Sequence, residues 1–142
     1  MKLAEIFPAL KTYWDSDPGL TATVPGGLWF DKADQDATAP YAVITGTEEA
    51  PELFSGTTGI QWFGFTVGVW SSAGATDARD IQRRIALLFK RDNRTLILVP
   101  HPDAKVLDLQ PSPSEYKQEG RKGANEVIAA MASYRMLLQL EF

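Results

Sequence analysis

The stretch from Ile60 to Phe89 constrains the fold more than any other part of the chain. Its first half predicts one long strand, Ile60 to Trp70, in which alternate residues fall on opposite sides. Phe63, Phe65, Val67 and Val69 make one large apolar face, as a core face should be. Trp62, Gly64, Thr66, Gly68 and Trp70 make the other, where small residues stand between tryptophans, a composition suited to close approach by another backbone or surface. Both faces are therefore expected to be covered. Trp62 and Trp70 are expected either to lie beneath an N-terminal helix or to take part in subunit contact. After a Gly/Ala/Ser break, Thr76 to Arg91 predicts an amphipathic helix. Ala78, Ile81, Ile85, Leu88 and Phe89 share one arc, Thr76 is the expected N-cap, and Asp77 suits the positive helix end.

The remaining elements follow from hydrophobic period and punctuation. Leu3, Ile6, Phe7, Leu10 and Trp14 recur at three- and four-residue steps and predict a helix. Pro8 lacks an N–H, so that helix either begins near Glu5 to Phe7 or is kinked there. Asp15 to Gly19 ends it, and a short helical turn precedes Pro25-Gly26-Gly27. Leu28 to Phe30 and Tyr41 to Thr47 read as strands, the latter rich in β-branched and aromatic residues. Thr95 to Val99 and Ala104 to Leu109 read as a further hairpin around Pro100-His101-Pro102-Asp103. Pro111 to Asn125 is polar, with two prolines and two glycines, and is expected to be a mobile loop or arm. In the last segment Tyr134, Met136, Leu138, Leu140 and Phe142 alternate with polar residues, predicting a half-buried strand with Leu137 as the exception.

These elements add up to an α+β fold: one domain over residues 1–142, with a mostly antiparallel sheet, two principal helices and hairpin-linked strands rather than alternating βαβ units. A chain of 142 residues can bury a core without disulfides or metals. No apolar run approaches the about 20 residues of a membrane span, and no cleaved signal is expected from the early Glu5 and Pro8.

Composition removes several chemistries. With no cysteine, thiol catalysis, disulfides and thiolate metal sites are excluded. A net charge of -4 argues against a dedicated nucleic-acid binder, whose phosphate contacts need clustered positive charge. His101, the single histidine, stands between prolines without a motif partner and reads as a surface turn residue. Glu48, Glu49 and Glu52 lack the spacing of a cation loop and read as a solvated acidic loop. Arg79, Arg83 and Lys90 oppose the apolar arc of the second helix, with Arg84 and Arg91 flanking. They read as a solvated face carrying pairs such as Asp80 with Arg84. Leu87 points into that charged arc, either as an ordinary exposed leucine or as an apolar knob for a neighbouring subunit. No catalytic, cofactor-binding or metal-ligating set is expected. The expected contact residues are Leu53, Phe54, Leu87 and Tyr116. A different class, a small-ligand or peptide-binding module using a cleft near Trp62 and Trp70, is the alternative.

The order of segments resembles the tail completion or tail terminator proteins of long-tailed bacteriophages and prophages. The likeness runs through the N-terminal helix and the Asp17-Pro18-Gly19-Leu20-Thr21-Ala22-Thr23-Val24 to Leu28-Trp29-Phe30 passage. It continues with Ala39-Pro40-Tyr41-Ala42-Val43-Ile44 and Phe65-Thr66-Val67-Gly68-Val69-Trp70 leading into the Asp77-Ala78 helix, and ends with the final strand. The resemblance implies a ring, typically of six copies, that caps the tail tube and docks the head connector. Its implied partners are further copies of itself, the tail tube protein and the head connector protein, with no membrane, no direct nucleic-acid recognition and no cofactor. Its implied location is the virion tail or neck, after assembly in the host cytoplasm. The sequence departs from that pattern at Pro111 to Asn125, where relatives tend to have a shorter connection.

Overall fold

The computed structural model describes residues 3–34, 36–47, 60–97, 104–111, 117–121 and 127–140. Ten elements follow in order: α1 (Leu3–Asp15), α2 (Pro18–Thr23), β1 (Leu28–Phe30), β2 (Tyr41–Thr47), β3 (Ile60–Ser71), α3 (Ala75–Leu88), a 3-10 helix (Arg91–Leu96), β4 (Ala104–Pro111), β5 (Lys117–Arg121) and β6 (Val127–Leu140). They form the expected α+β domain. The strand order is β1-β2-β3-β6-β4, with β5 also on β6, and every pairing is antiparallel except β1 with β2.

The two long strands β3 and β6 are the spine. Ile60↔Gln139 through Ser71↔Ile128 pair without a break. β4 and β5 both run antiparallel to β6 along its other side. Pro111 lies opposite Tyr134 and Lys117 opposite Met131, so the two strands lie nearly end to end. Part of the segment expected to be a loop or arm is thus a strand: Lys117–Arg121 closes on Val127–Met131, because a ladder partner was available on that edge. The connectivity also differs from a chain of hairpins. β3 and β4 are parallel with α3 between them in sequence and β6 between them in the sheet, a split βαβ arrangement.

The helices share one face of the sheet. Ile6, Leu10, Tyr13 and Trp14 of α1, Leu20 of α2, and Ile81, Ile85 and Leu88 of α3 bury themselves with Phe63, Phe65, Val67 and Val69 of β3 and Tyr134, Met136 and Leu138 of β6. Phe89 sits at the centre of this core, with its ring 5.6 Å from Phe65, 5.5 Å from Tyr134 and 5.8 Å from Tyr13. One aromatic cluster therefore joins β3, β6, α1 and the end of α3. The α1 helix passes through Pro8 from a start at Leu3, so the proline lies inside it rather than in its first turn.

Two helix boundaries depart from expectation. The N-cap of α3 is Gly74, at φ 111, not Thr76. Glycine has no Cβ to resist that dihedral. No side chain caps this end; the buried Ser71 hydroxyl instead ties the preceding strand to the first turn, donating to Asp77 at 2.5 Å and accepting from the Ala73 N–H at 3.1 Å. At the other end α3 stops at Leu88, and Arg91–Leu96 turn as a 3-10 helix where the composition of Thr95 to Val99 suggests a strand. Asn93 supplies the reason. Its side-chain amide reaches back to the Leu87 and Leu88 carbonyls, at 3.1 and 3.3 Å, and caps the helix by folding the chain over its end. Leu98 and Val99 lie outside the described residues. β4 pairs with β6.

Candidate functional site

The second face of the sheet carries no helix among the described residues, against the expectation that both faces of β3 are covered. Register places Tyr41, Val43 and Thr45 of β2 beside Trp70, Gly68 and Thr66 of β3, and these beside Met131 and Ser133 of β6. Side chains cover one another instead. The Trp70 ring stacks on Tyr41, with centroids 5.6 Å apart and planes within 9°. It also lies over Gly68, where an added Cβ would come within 2.7 Å of the ring. The Arg135 guanidinium sits over Trp62 at 4.2 Å, a cation–π contact, and the Thr66 and Ser133 hydroxyls meet at 2.8 Å. Gly68 thus makes room for the Trp70 ring.

This geometry overturns one expectation. The α1 stripe packs on the opposite face, so the tryptophans do not lie beneath it. Trp62 and Trp70 stand eight steps apart on one strand, about 26 Å at the rise of an extended chain.

A cleft does form at the β1 edge. Phe7 and Lys11 of α1 face Leu28, Trp29 and Phe30 of β1 across the Gly26-Gly27 turn, enclosing about 230 Å³. Phe7 and Phe30 are in ring contact at 5.2 Å, and the Trp29 indole donates to the Gly26 carbonyl at 2.8 Å. The turn is held tightly against the start of β2. The Gly26 N–H donates to the Pro40 carbonyl at 3.0 Å, the Ala42 N–H donates to the Gly27 carbonyl at 2.9 Å, and the Ala39–Pro40 peptide is cis. A Cβ on Gly26 would lie 2.2 Å from the Thr38 carbonyl oxygen. The walls are mostly apolar, and Lys11 is engaged with Asp15 at 3.6 Å. The cleft therefore holds no constellation for acid, base or nucleophilic chemistry.

Of the expected contact residues, Leu87 stands on α3 with 67% of its surface exposed, and Leu96 and Leu107 are the other large exposed apolar side chains among the described residues. Leu53, Phe54 and Tyr116 lie outside the described residues, as do His101, Glu48, Glu49 and Glu52. The expected Asp80–Arg84 pair is replaced by two others. Arg83 meets Asp80 at 3.2 Å, and Arg84 reaches Asp17 at 3.6 Å, tying α3 to the N-cap of α2. Among the described residues no three histidine, aspartate or glutamate side chains gather as metal ligands, and no helix is long and apolar enough to cross a membrane.

The sequence reading passed over Gln82. It is fully buried beneath α3, and its amide nitrogen donates to the Val67 carbonyl of β3 and the Ala130 carbonyl of β6, each at 2.7 Å. Ala130 and Ala132 make this possible, since their small side chains on the helix-bearing face let α3 approach the backbone. Its Oε1 has no partner among the described residues. The signal was available: position 82 falls inside the arc of Ala78, Ile81 and Ile85, where a polar residue needs a buried partner.

Comparison with family models and with curated proteins gave no match. Solved structures did. A chain of the virion of a native gene transfer agent particle superposes with a TM-score of 0.63 at 14% identity, covering 96% of this chain and 93% of that one. The protein shares that chain's fold. A second solved structure aligns with a TM-score of 0.51 at 12% identity, over 100% of this chain and 99% of its own. The likeness spans the whole domain in both cases, helices and sheet together.

Proposed function

We propose that this protein is a structural assembly protein of a phage or prophage tail, forming a ring that caps the tail tube and joins it to the head connector. The observation that carries the reading is the fold shared, nearly end to end, with a chain of a gene transfer agent virion. The sequence resemblance to tail terminators supports it independently. So does the character of the surface, where exposed leucines stand out and the cleft lacks titratable groups arranged for catalysis. The protein acts through shape: copies associate around a ring, typically six, while its two ends meet the tail tube protein and the head connector protein. Its place is the tail or neck of the particle, reached from the host cytoplasm. Leu53, Phe54, Leu87 and Tyr116 are proposed contact residues, and no enzymatic activity is assigned.

Light scattering across protein concentration, with negative-stain imaging in the presence of the tail tube protein of the same genome, tests this. Annular particles and tubes capped at one end are expected. A species that stays monomeric even with the tube protein present would refute the reading.

A further inference from the structure

Among the described residues no further strand covers either edge of the sheet, and the two edges are opposite in sign. On the β4 edge, the segment from Lys90 to Leu96 carries Lys90, Arg91 and Arg94 against Asp92, a net +2 from three minus one. Its 3-10 helix packs on β4, where the Arg91 guanidinium lies 3.0 Å from Asp108. Lys90 and Arg94 have no carboxylate partner among the described residues. Leu96 and Leu107 stand beside them, 58% and 38% exposed. On the β1 edge, the connection to β2 exposes Asp31, Asp34 and Asp36, with Lys32 the single basic residue, and none of them is ion-paired among the described residues. The mostly apolar cleft of Phe7, Leu28, Trp29 and Phe30 lies at that edge; Lys11, which also lines it, is offset by Asp15 at 3.6 Å. Four strand spacings, about 19 Å, separate the two edges.

Each edge therefore offers what the other lacks: an apolar knob flanked by basic residues on one, and an apolar hollow followed in sequence by an acidic connection on the other. The geometry points to a head-to-tail contact between copies. In it Leu96, flanked by Lys90 and Arg94, seats on the β1-edge cleft of the next subunit, facing its Asp31, Asp34 and Asp36. A two-fold contact that paired either edge with itself would bring like charges together, which is costly at an interface. Joining unlike edges leaves one unused surface of each kind on the joined pair, the condition for a closed ring or an open chain. This inference rests on the ring reading and specifies which surfaces would meet.

The absence of cysteine makes a clean test possible. Ala33→Cys and Thr95→Cys place one thiol on each edge without altering a charge. Mild oxidation of the double variant, at concentrations where light scattering reports assembly, should give a ladder of disulfide-linked oligomers. Each single variant should give none. A second measurement covers a thiol pair that misfolds or misaligns. Lys90→Glu with Arg94→Glu, or Asp34→Lys with Asp36→Lys, should raise the concentration at half-assembly by at least about tenfold while circular dichroism stays unchanged. Mixing the two charge-reversed proteins should restore assembly, since one then carries two acidic edges and the other two basic ones, and alternating copies pair opposite charges at every junction. Assembly indifferent to both reversals, without a ladder, would overturn this contact and leave the ring. A monomer at every concentration, with tube protein present, would overturn both.

Discussion

Replacing Gln82 by glutamate changes one atom group and should nearly unfold the domain at neutral pH. The wild-type amide donates two hydrogen bonds, to the Val67 and Ala130 carbonyls, from a fully buried position. An ionised carboxylate would direct negative charge at two acceptor oxygens with no water to screen it. The folded state would instead keep the carboxyl protonated, raising its pKa by about three units, as buried carboxyls do. At about 1.4 kcal/mol per unit, that shift costs about 4 kcal/mol at neutral pH. Loss of one of the two donated bonds adds about 1 kcal/mol. The sum, about 5 kcal/mol, rivals the whole stability of many domains of this size. The penalty depends on pH, because a raised folded pKa means that the unfolded state releases its proton first. The variant should lose stability steadily as pH rises from the ordinary glutamate value toward the folded one, and should be nearest to wild type below both. Urea unfolding at about pH 4.5 and about pH 7.5, with Gln82→Met as an uncharged control, measures this. The control should lose about 1–2 kcal/mol at both pH values. A glutamate variant as stable as wild type at neutral pH, or one whose deficit matches the methionine control at every pH, would refute the reasoning.

Three further outcomes are expected. The Tyr13 hydroxyl donates to the Leu88 carbonyl at 2.6 Å, and burial pushes its pKa above the ordinary 10.0, with Asn93 opposing and Asp17 reinforcing the shift. Tyr13→Phe should cost about 1 kcal/mol in a denaturant titration. Wild type should also lose Tyr13's contribution as pH rises above the ordinary tyrosine value toward the raised folded one, a loss absent from the phenylalanine variant. Gly26→Ala would force a Cβ to 2.2 Å from the backbone oxygen of Thr38, an atom that cannot swing aside, so melting should drop by the equivalent of about 2–3 kcal/mol. Leu87→Ser removes an apolar side chain that is 67% exposed; its melting temperature should stay within the small range of surface changes while assembly, read by light scattering, weakens.

Much of the fold was legible because hydrophobic period is a direct imprint of burial. Phe63, Phe65, Val67 and Val69 alternate in the chain and are buried together, and Tyr134, Met136 and Leu138 do the same on the partner strand. Where local chemistry competed with composition, the reading failed. Thr95 and Leu96 look like strand residues, yet Asn93 caps the end of α3 and commits the chain to a 3-10 turn that leaves Leu96 in solvent and buries Ile97. Lys117–Arg121 is polar throughout, so no pattern announced β5; an open ladder on β6 decides it. The N-cap of α3 was misplaced because Gly74 takes the cap position through its dihedral, with no side chain capping the helix there, so the hydroxyl of Thr76 gave a false signal. The two-faced character of β3 was visible, but which face the helices would take was not. That choice depends on the alanines of β6, more than fifty residues away, which make room for α3.

β4 and β5 are anchored separately to one neighbour, and this has an evolutionary reach beyond packing. Because Ala104–Pro111 and Lys117–Arg121 each grip β6 on their own, a substitution that loosens one strand leaves the other in register. The two can drift apart in sequence over time like a rope belayed at two points, either of which holds if the other slips.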